Sequence, residues 1–184
     1  MPSKKKILSW LYSLVGAIIL SLIIGIFVIQ PYRVSGHSMD PTLHDKERIY
    51  VSKLSHTFSY LPDYEDIVII DSRVDRKRTI KDDILENPIL QLVMNKSNKA
   101  FYVKRVIGKP GDVLELKDHQ IYRNGERLDE PYINETMEDF FTAKWVVPDN
   151  HIFVMGDNRN HSEDSRVIGF IPLSHVLGVK ISLL

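Results

Sequence analysis

The chain has 184 residues, 24 Lys+Arg balanced by 24 Asp+Glu, seven histidines and no cysteine. The missing cysteine excludes disulfides, thiol catalysis and cysteine-based metal sites, so the fold depends on its hydrophobic core. Three basic residues (Lys4, Lys5, Lys6) precede a long apolar run, which leaves 21 basic against 24 acidic residues beyond it and no electrostatic footprint for nucleic acid.

From Ile7 to Ile29 there are 23 residues without a charge. At about 1.5 Å of rise per residue, one helix of that length crosses a ~30 Å hydrocarbon core. The lysines lie on its N-terminal flank and Arg33 is the nearby charge after it, an asymmetry that places residues 1–6 in the cytoplasm and the rest outside. A cleaved signal peptide would have a shorter apolar region, and Val28-Ile29-Gln30-Pro31 lacks a small-x-small cleavage site. The expected organisation is a cytoplasmic tail (1–6), a retained transmembrane anchor (7–29) and one extracytoplasmic domain (30–184). Roughly 155 residues suit a single domain with a sizeable core.

Just past the anchor comes Val34-Ser35-Gly36-His37-Ser38-Met39-Asp40-Pro41-Thr42-Leu43, a small hydroxyl set among turn residues. A serine becomes a nucleophile only when a base takes its proton and backbone N–H groups stabilise the oxyanion, and Gly36 and Pro41 can shape a turn that exposes it. Most serines in such text only bond nearby backbone.

Arg48 to Leu54 and Asp66 to Asp71 read as strands rich in β-branched and aromatic residues, with a loop over 55–65. Residues 72–99 form a variable insertion. It opens with a dense mixed-charge run (Arg73, Asp75, Arg76, Lys77, Arg78, Lys81, Asp82, Asp83), expected to be a solvated face, and continues past Pro88 into an apolar patch from Ile89 to Met94.

Phe101 to Ile107 predicts a strand whose alternation puts Tyr102, Lys104 and Val106 on one face, a lysine between apolar neighbours. Burial lowers a lysine pKa and makes the amine a usable base near neutral pH; an edge lysine that snorkels is the bland alternative. Strand text continues over 113–116 and 120–123, followed by Asn124-Gly125, a tight-turn signal, and over 145–148 and 151–155. The polar stretch Gly156-Asp157-Asn158-Arg159-Asn160-His161-Ser162-Glu163-Asp164-Ser165-Arg166 reads as a loop pinned by its own hydrogen bonds, and residues 175–181 as a last strand.

The three segments Ser-Gly-His-Ser38-Met-Asp-Pro-Thr-Leu, Tyr-Val-Lys104-Arg-Val-Ile-Gly-Lys-Pro-Gly-Asp and Gly-Asp-Asn-Arg-Asn-His-Ser162-Glu-Asp-Ser-Arg, in that order behind one anchor, closely resemble bacterial type I signal peptidases, most of all the Gram-positive members. The resemblance runs from about residue 30 to the C-terminus and is weak over 72–99. It implies a mostly β fold, an antiparallel β-sheet domain behind one N-terminal transmembrane helix. It also implies a membrane-bound serine endopeptidase with a Ser/Lys dyad that cleaves signal peptides from exported preproteins after small residues.

Carried over by position, Ser38 is the nucleophile and Lys104 its base. Ser162 matches the hydroxyl that orients the lysine amine, and Asp164 and Arg166 match a supporting ion pair. Val34, Met39, Leu43, Tyr102 and Val103 match or adjoin positions that line shallow substrate pockets. Some members supply a second oxyanion donor from a serine two residues before the nucleophile, where this chain has Gly36. The resemblance calls for no metal and no cofactor, and its partners are exported preproteins and membrane lipid. No histidine is needed, and none of the seven sits in a Ser-His-Asp pattern. Two rivals are a self-cleaving Ser/Lys repressor-type protease, which would carry a cytoplasmic N-terminal region in place of the span, and a non-enzymatic membrane-tethered β domain.

Overall fold

In a computed structural model, residues 4–58, 60–85, 100–138 and 142–181 are described. Helix α1 (Lys4–Phe27) takes up most of the uncharged run and none of its side chains is buried by the protein. Among the described residues it is the one helix long and apolar enough to cross a membrane. The helix ends at Phe27 and strand β1 begins at Ile29, two residues after the helix end.

Beyond the helix the chain is a mostly antiparallel β structure. A seven-stranded sheet is ordered β1 (Ile29–Arg33), β2 (Arg48–Ser52), β11 (Val176–Lys180), β3 (Ile67–Asp71), β4 (Phe101–Gly108), β9 (His151–Met155) and β10 (Ile171–Pro172). A four-stranded sheet is ordered β7 (Glu126–Arg127), β6 (Gln120–Arg123), β5 (Val113–Lys117) and β8 (Ala143–Val146). Every strand pair in both sheets is antiparallel.

The residue patterns explain the placement. β3, Ile-Val-Ile-Ile-Asp, is buried along its whole length, as a central strand covered on both faces must be. β2 and β5 alternate buried with more exposed positions, the period-2 pattern of strands with one solvated face. Asn124 (φ 54°) and Gly125 (φ 88°) make the expected two-residue turn between β6 and β7, since positive φ at both positions suits asparagine and glycine. β1 and β10 were not expected from the sequence. Each contains a proline, which is tolerated because both strands lie at sheet edges, where one row of donors goes unpaired.

The insertion departs from its expected solvated face. Asp71, wholly buried at the end of β3, accepts from Arg73 in a two-point contact of 2.7 Å to each oxygen, and also from Arg76 and Arg78. These guanidiniums hold the Asp71 carboxyl well below the ordinary carboxylate range against the upward push of burial. So the first arginines fold back on the sheet, while Asp75, Lys77 and Lys81 face solvent. Helix α3 (Ile80–Leu85) follows, and the apolar patch over Ile89 to Met94 lies outside the described residues. Helix α2 (Leu54–Thr57) forms the start of the expected loop over 55–65.

The junction of the two sheets is filled by Ile107, Leu114, Leu116, Met137 and Phe153. The Phe153 ring lies 5.0 Å from Trp145 and 6.1 Å from Phe170, at offset and edge angles that aromatic pairs favour. Phe153 is fully buried, so Phe153→Ala is expected to cost about 3–5 kcal/mol through lost burial and an unfilled cavity. A denaturant titration of the purified protein in detergent, followed by tryptophan fluorescence, checks this as a lower midpoint at unchanged slope.

Candidate active site

Residues 34–47 join β1 to β2 and carry Ser38. The segment is closed by Val34 N–H donating to Glu47 O (2.9 Å) and Lys46 N–H to Val34 O (3.0 Å). Met39 and Leu43 are sunk in the core, each 1% exposed, and anchoring them leaves Ser38 half-buried at the surface. Gly36 has φ of +90°, a conformation that L side chains rarely adopt, and its N–H donates to Asp45 Oδ1 at 3.0 Å.

β4 brings up Lys104, paired across from Val68 of β3. Its Nζ lies 2.8 Å from Ser38 Oγ, although 66 positions separate the two residues in sequence. Tyr102 and Val106 share one apolar cluster, as the alternation predicts, and the Tyr102 ring centroid is 5.5 Å from Nζ. Lys104 is 2% exposed. Burial pulls its pKa from 10.5 down to about 8, against the opposing attraction of Asp164, Glu163 and Asp157.

The polar stretch after β9 closes the site. Gly156 packs where no side chain fits: a Cβ there would lie 2.3 Å from Ser162 Oγ and 2.4 Å from the Ser38 carbonyl oxygen. Asn158 grips the serine turn from the other side. Its backbone N–H donates to Ser38 O (3.1 Å) and its side-chain amide donates to His37 O (3.0 Å). Two-point ion pairs hold the stretch. Arg105 donates to both oxygens of Asp157 (2.8 and 2.5 Å), with its guanidinium stacked 3.9 Å over Tyr132. Arg166 donates to both oxygens of Asp164 (each 2.9 Å) and to Arg159 O. Asp164 also accepts from Gly156 N–H at 3.0 Å. Burial pushes the Asp164 carboxyl up, but Arg166, helped by the Gly156 N–H and the Ser162 hydroxyl, outweighs it and holds the group below the ordinary range.

The structure therefore brings Ser38, Lys104, Ser162, Asp164 and Arg166 into one site. Ser162 Oγ is buried and bonds no amine among the described residues, Lys104 included, while its hydroxyl lies beside the Asp164 carboxyl. Of the positions matched to substrate pockets, Val34, Met39 and Leu43 are core residues no more than 4% exposed, while Tyr102 and Val103 are half-buried. His37 is exposed and pairs with Asp40 at 2.9 Å, outside the Ser38–Lys104 contact.

The sequence from residue 7 to 183 matches the family described as Signal peptidase, peptidase S26. The chain belongs to that family. It is 38% identical to signal peptidase I S of Bacillus subtilis (strain 168), over 90% of this chain and 82% of the relative. It is 33% identical to signal peptidase IB of Staphylococcus aureus (strain COL), over 95% of this chain and 87% of the relative. A crystal structure of a signal peptidase I from Enterococcus faecalis V583 is 30% identical and covers 65% of this chain and 96% of its own, at a TM-score of 0.46. The enzyme is thus a membrane serine peptidase that cleaves signal peptides, and its substrates are proteins that carry them.

Sequence reasoning missed how this signal peptidase fixes its serine turn. Asn158 and Asn160 look alike in a polar loop, yet Asn160 bonds Thr136 O and Glu138 N–H, while Asn158 holds the turn. Gly156 carried a usable signal, a glycine directly after an apolar strand, which marks close backbone approach. Gly156→Ala should push Ser38 and Ser162 apart and lower kcat about 10²-fold or more, since displacement of a reacting group by about 1 Å costs that much. Circular dichroism together with cleavage of a precursor peptide checks it; the β spectrum should persist.

Proposed function

We propose that Ser38 is the nucleophile and Lys104 the general base of this signal peptidase. The observation that carries the reading is the 2.8 Å contact between a buried amine and a half-buried serine hydroxyl. In the ammonium form Nζ donates to Oγ, and in the neutral form its lone pair accepts the hydroxyl proton at the same separation. Ser38 Oγ attacks the scissile carbonyl carbon as its proton passes to Nζ, giving a tetrahedral oxyanion and a cationic Lys104. The C–N bond then breaks, Lys104 returns the proton to the leaving amine, and the acyl group stays on Ser38. Water, deprotonated by the neutral Lys104, releases the acyl group and restores the serine.

The Ser38 N–H is engaged by no group among the described residues and is the oxyanion donor in this reading. Gly36 supplies no hydroxyl, and its N–H is already given to Asp45. Ser162 is a positioning residue: its buried hydroxyl lies beside the Asp164 carboxyl, which it helps to keep ionised, and its oxygen is left to accept from the neutral amine and hold it on course toward Ser38. Asp164 with Arg166 holds the loop that presents it. Tyr102 and Val103 form the exposed part of the pocket for small substrate side chains, with Val34, Met39 and Leu43 beneath as its floor.

The proposed arrangement in the cell follows the charge pattern. Residues 1–6 lie in the cytoplasm, 7–29 span the membrane, and the catalytic domain over 30–184, with its insertion at 72–99, stands outside and meets preproteins as they emerge.

Ser38→Ala should give a folded, membrane-bound protein that leaves an exported precursor uncut, since the change removes the hydroxyl and little packing. Undiminished cleavage by that variant would end the reading. The wild-type rate should fall about tenfold per pH unit below about 8, because the base works only when neutral, and level off above it. Lys104→Arg should be inactive across the whole range, as guanidinium stays protonated.

Ser162→Ala should slow cleavage by ~10- to 10³-fold, and Ser162→Asp should do worse because a carboxylate there favours protonated Lys104. Precursor cleavage timed over pH 6–10 checks both; a wild-type rate for Ser162→Ala would reduce Ser162 to a loop hydroxyl.

A further inference from the structure

The charged groups acting on Lys104 are Asp157, Glu163, Asp164 and Arg166. Three of them sit in ion pairs within the fold. Asp164 is locked to Arg166 and Asp157 to Arg105, each by a two-point contact, so each of these carboxylates has a guanidinium fixed beside it, and that of Arg166 works against Asp164 at Nζ. Glu163 stands apart. Among the described residues no cation pairs with it, and its carboxylate Oε2 accepts from the Tyr102 hydroxyl at 3.1 Å. That same tyrosine presents its ring 5.5 Å from Nζ. The phenol therefore ties a solvent-exposed carboxylate to the rim of the site, one residue from Ser162, with the Tyr102 ring between it and the amine and no hydrogen bond to Nζ.

We propose that Glu163, held by Tyr102, is a positioning residue that acts through Lys104: it is the exposed negative charge that no ion pair among the described residues offsets, and it shifts how readily the amine gives up its proton, and so the pH range in which the peptidase works. The inference rests on Lys104 being the base. The direction of the effect follows from electrostatics, since a nearby carboxylate favours the ammonium and works against the burial that favours the free amine. Burial also raises the Tyr102 hydroxyl above its ordinary pKa, with Glu163 adding to that shift, so the phenol keeps its proton and its grip on Glu163 through the working range. Because Glu163 is exposed, its influence is screened by salt, unlike that of the buried pairs.

The test is a charge series at one position, Glu163, Glu163→Gln and Glu163→Lys, in the full-length protein in detergent. Two quantities are followed against pH: the rate of precursor cleavage, and the Cε resonance of Lys104 in protein labelled with 13C-lysine, assigned by its loss in Lys104→Met. Both midpoints should move to lower pH in the order Glu, Gln, Lys, by roughly 0.2–0.7 unit per step, the size of coupling expected for a surface charge. Salt near 1 M, where the screening length is about 3 Å, should bring the wild-type midpoint toward that of Glu163→Gln and leave the latter nearly still. A merely structural role for Glu163 would not order the midpoints by charge. If neither midpoint moves along the series, the inference falls and the base assignment stands. If the Lys104 resonance moves while the activity limb stays fixed, the inference falls together with the assignment of Lys104 as base.

Discussion

A primary amine buried against a serine hydroxyl is the constraint on which the rest of this structure depends. In water a lysine is protonated at any physiological pH and is useless as a base, so the proposed mechanism requires a place dry enough to disfavour the ammonium. β4 provides it by running inside the seven-stranded sheet, with β3 on one side and β9 on the other, so that Lys104 is almost wholly buried and its Nζ meets Ser38 Oγ. The serine must then be brought to the amine. Sinking Met39 and Leu43 does this, because two residues that follow the hydroxyl closely in sequence are fixed in the core.

The polar stretch after β9 acts as the site's outer wall, and its construction follows from having no disulfide to hold it. Arginine performs that work at several points. Arg105, Arg159 and Arg166 each hold a carboxylate in two-point geometry, Arg159 through Glu130 at 2.9 and 2.5 Å, and each also donates to a backbone carbonyl. A planar guanidinium fixes orientation as well as distance, which a lysine in the same position would not. Buried pairs of this kind add little net stability over an apolar replacement, but losing one partner strands the other, so they define one arrangement sharply. The arrangement they define places Gly156 and Asn158 against the backbone of the serine turn.

Much of this was legible in the sequence, for reasons that vary by element. The hydrophobic span, the central strands β2 to β6 and the Asn124-Gly125 turn announce themselves through composition and period, because burial on one face or two imposes those patterns directly. Lys104 stood out because an ionisable group among alternating apolar residues breaks such a pattern. The edge strands β1 and β10 did not, since their prolines read as loop when the neighbouring strand is unknown. The inward turn of Arg73, Arg76 and Arg78 was hidden for a related reason: a charge run looks solvated until the buried carboxylate of Asp71 that collects it is placed beside it. Asn158 was invisible because its role depends on two carbonyls more than a hundred residues away, at His37 and Ser38.

Burying Lys104 also has a thermodynamic consequence. The folded protein holds the lysine proton with a pKa of about 8, against 10.5 for the free side chain. Between those two values the unfolded chain binds the proton more tightly, so folding grows more favourable as pH rises through that window, and below about 8 the fold carries the whole penalty, roughly 3 kcal/mol. In many enzymes a strained site sets stability against turnover. With Lys104 as the proposed base, one deprotonation governs both, so the conditions that arm the amine are the ones that relieve the fold around it.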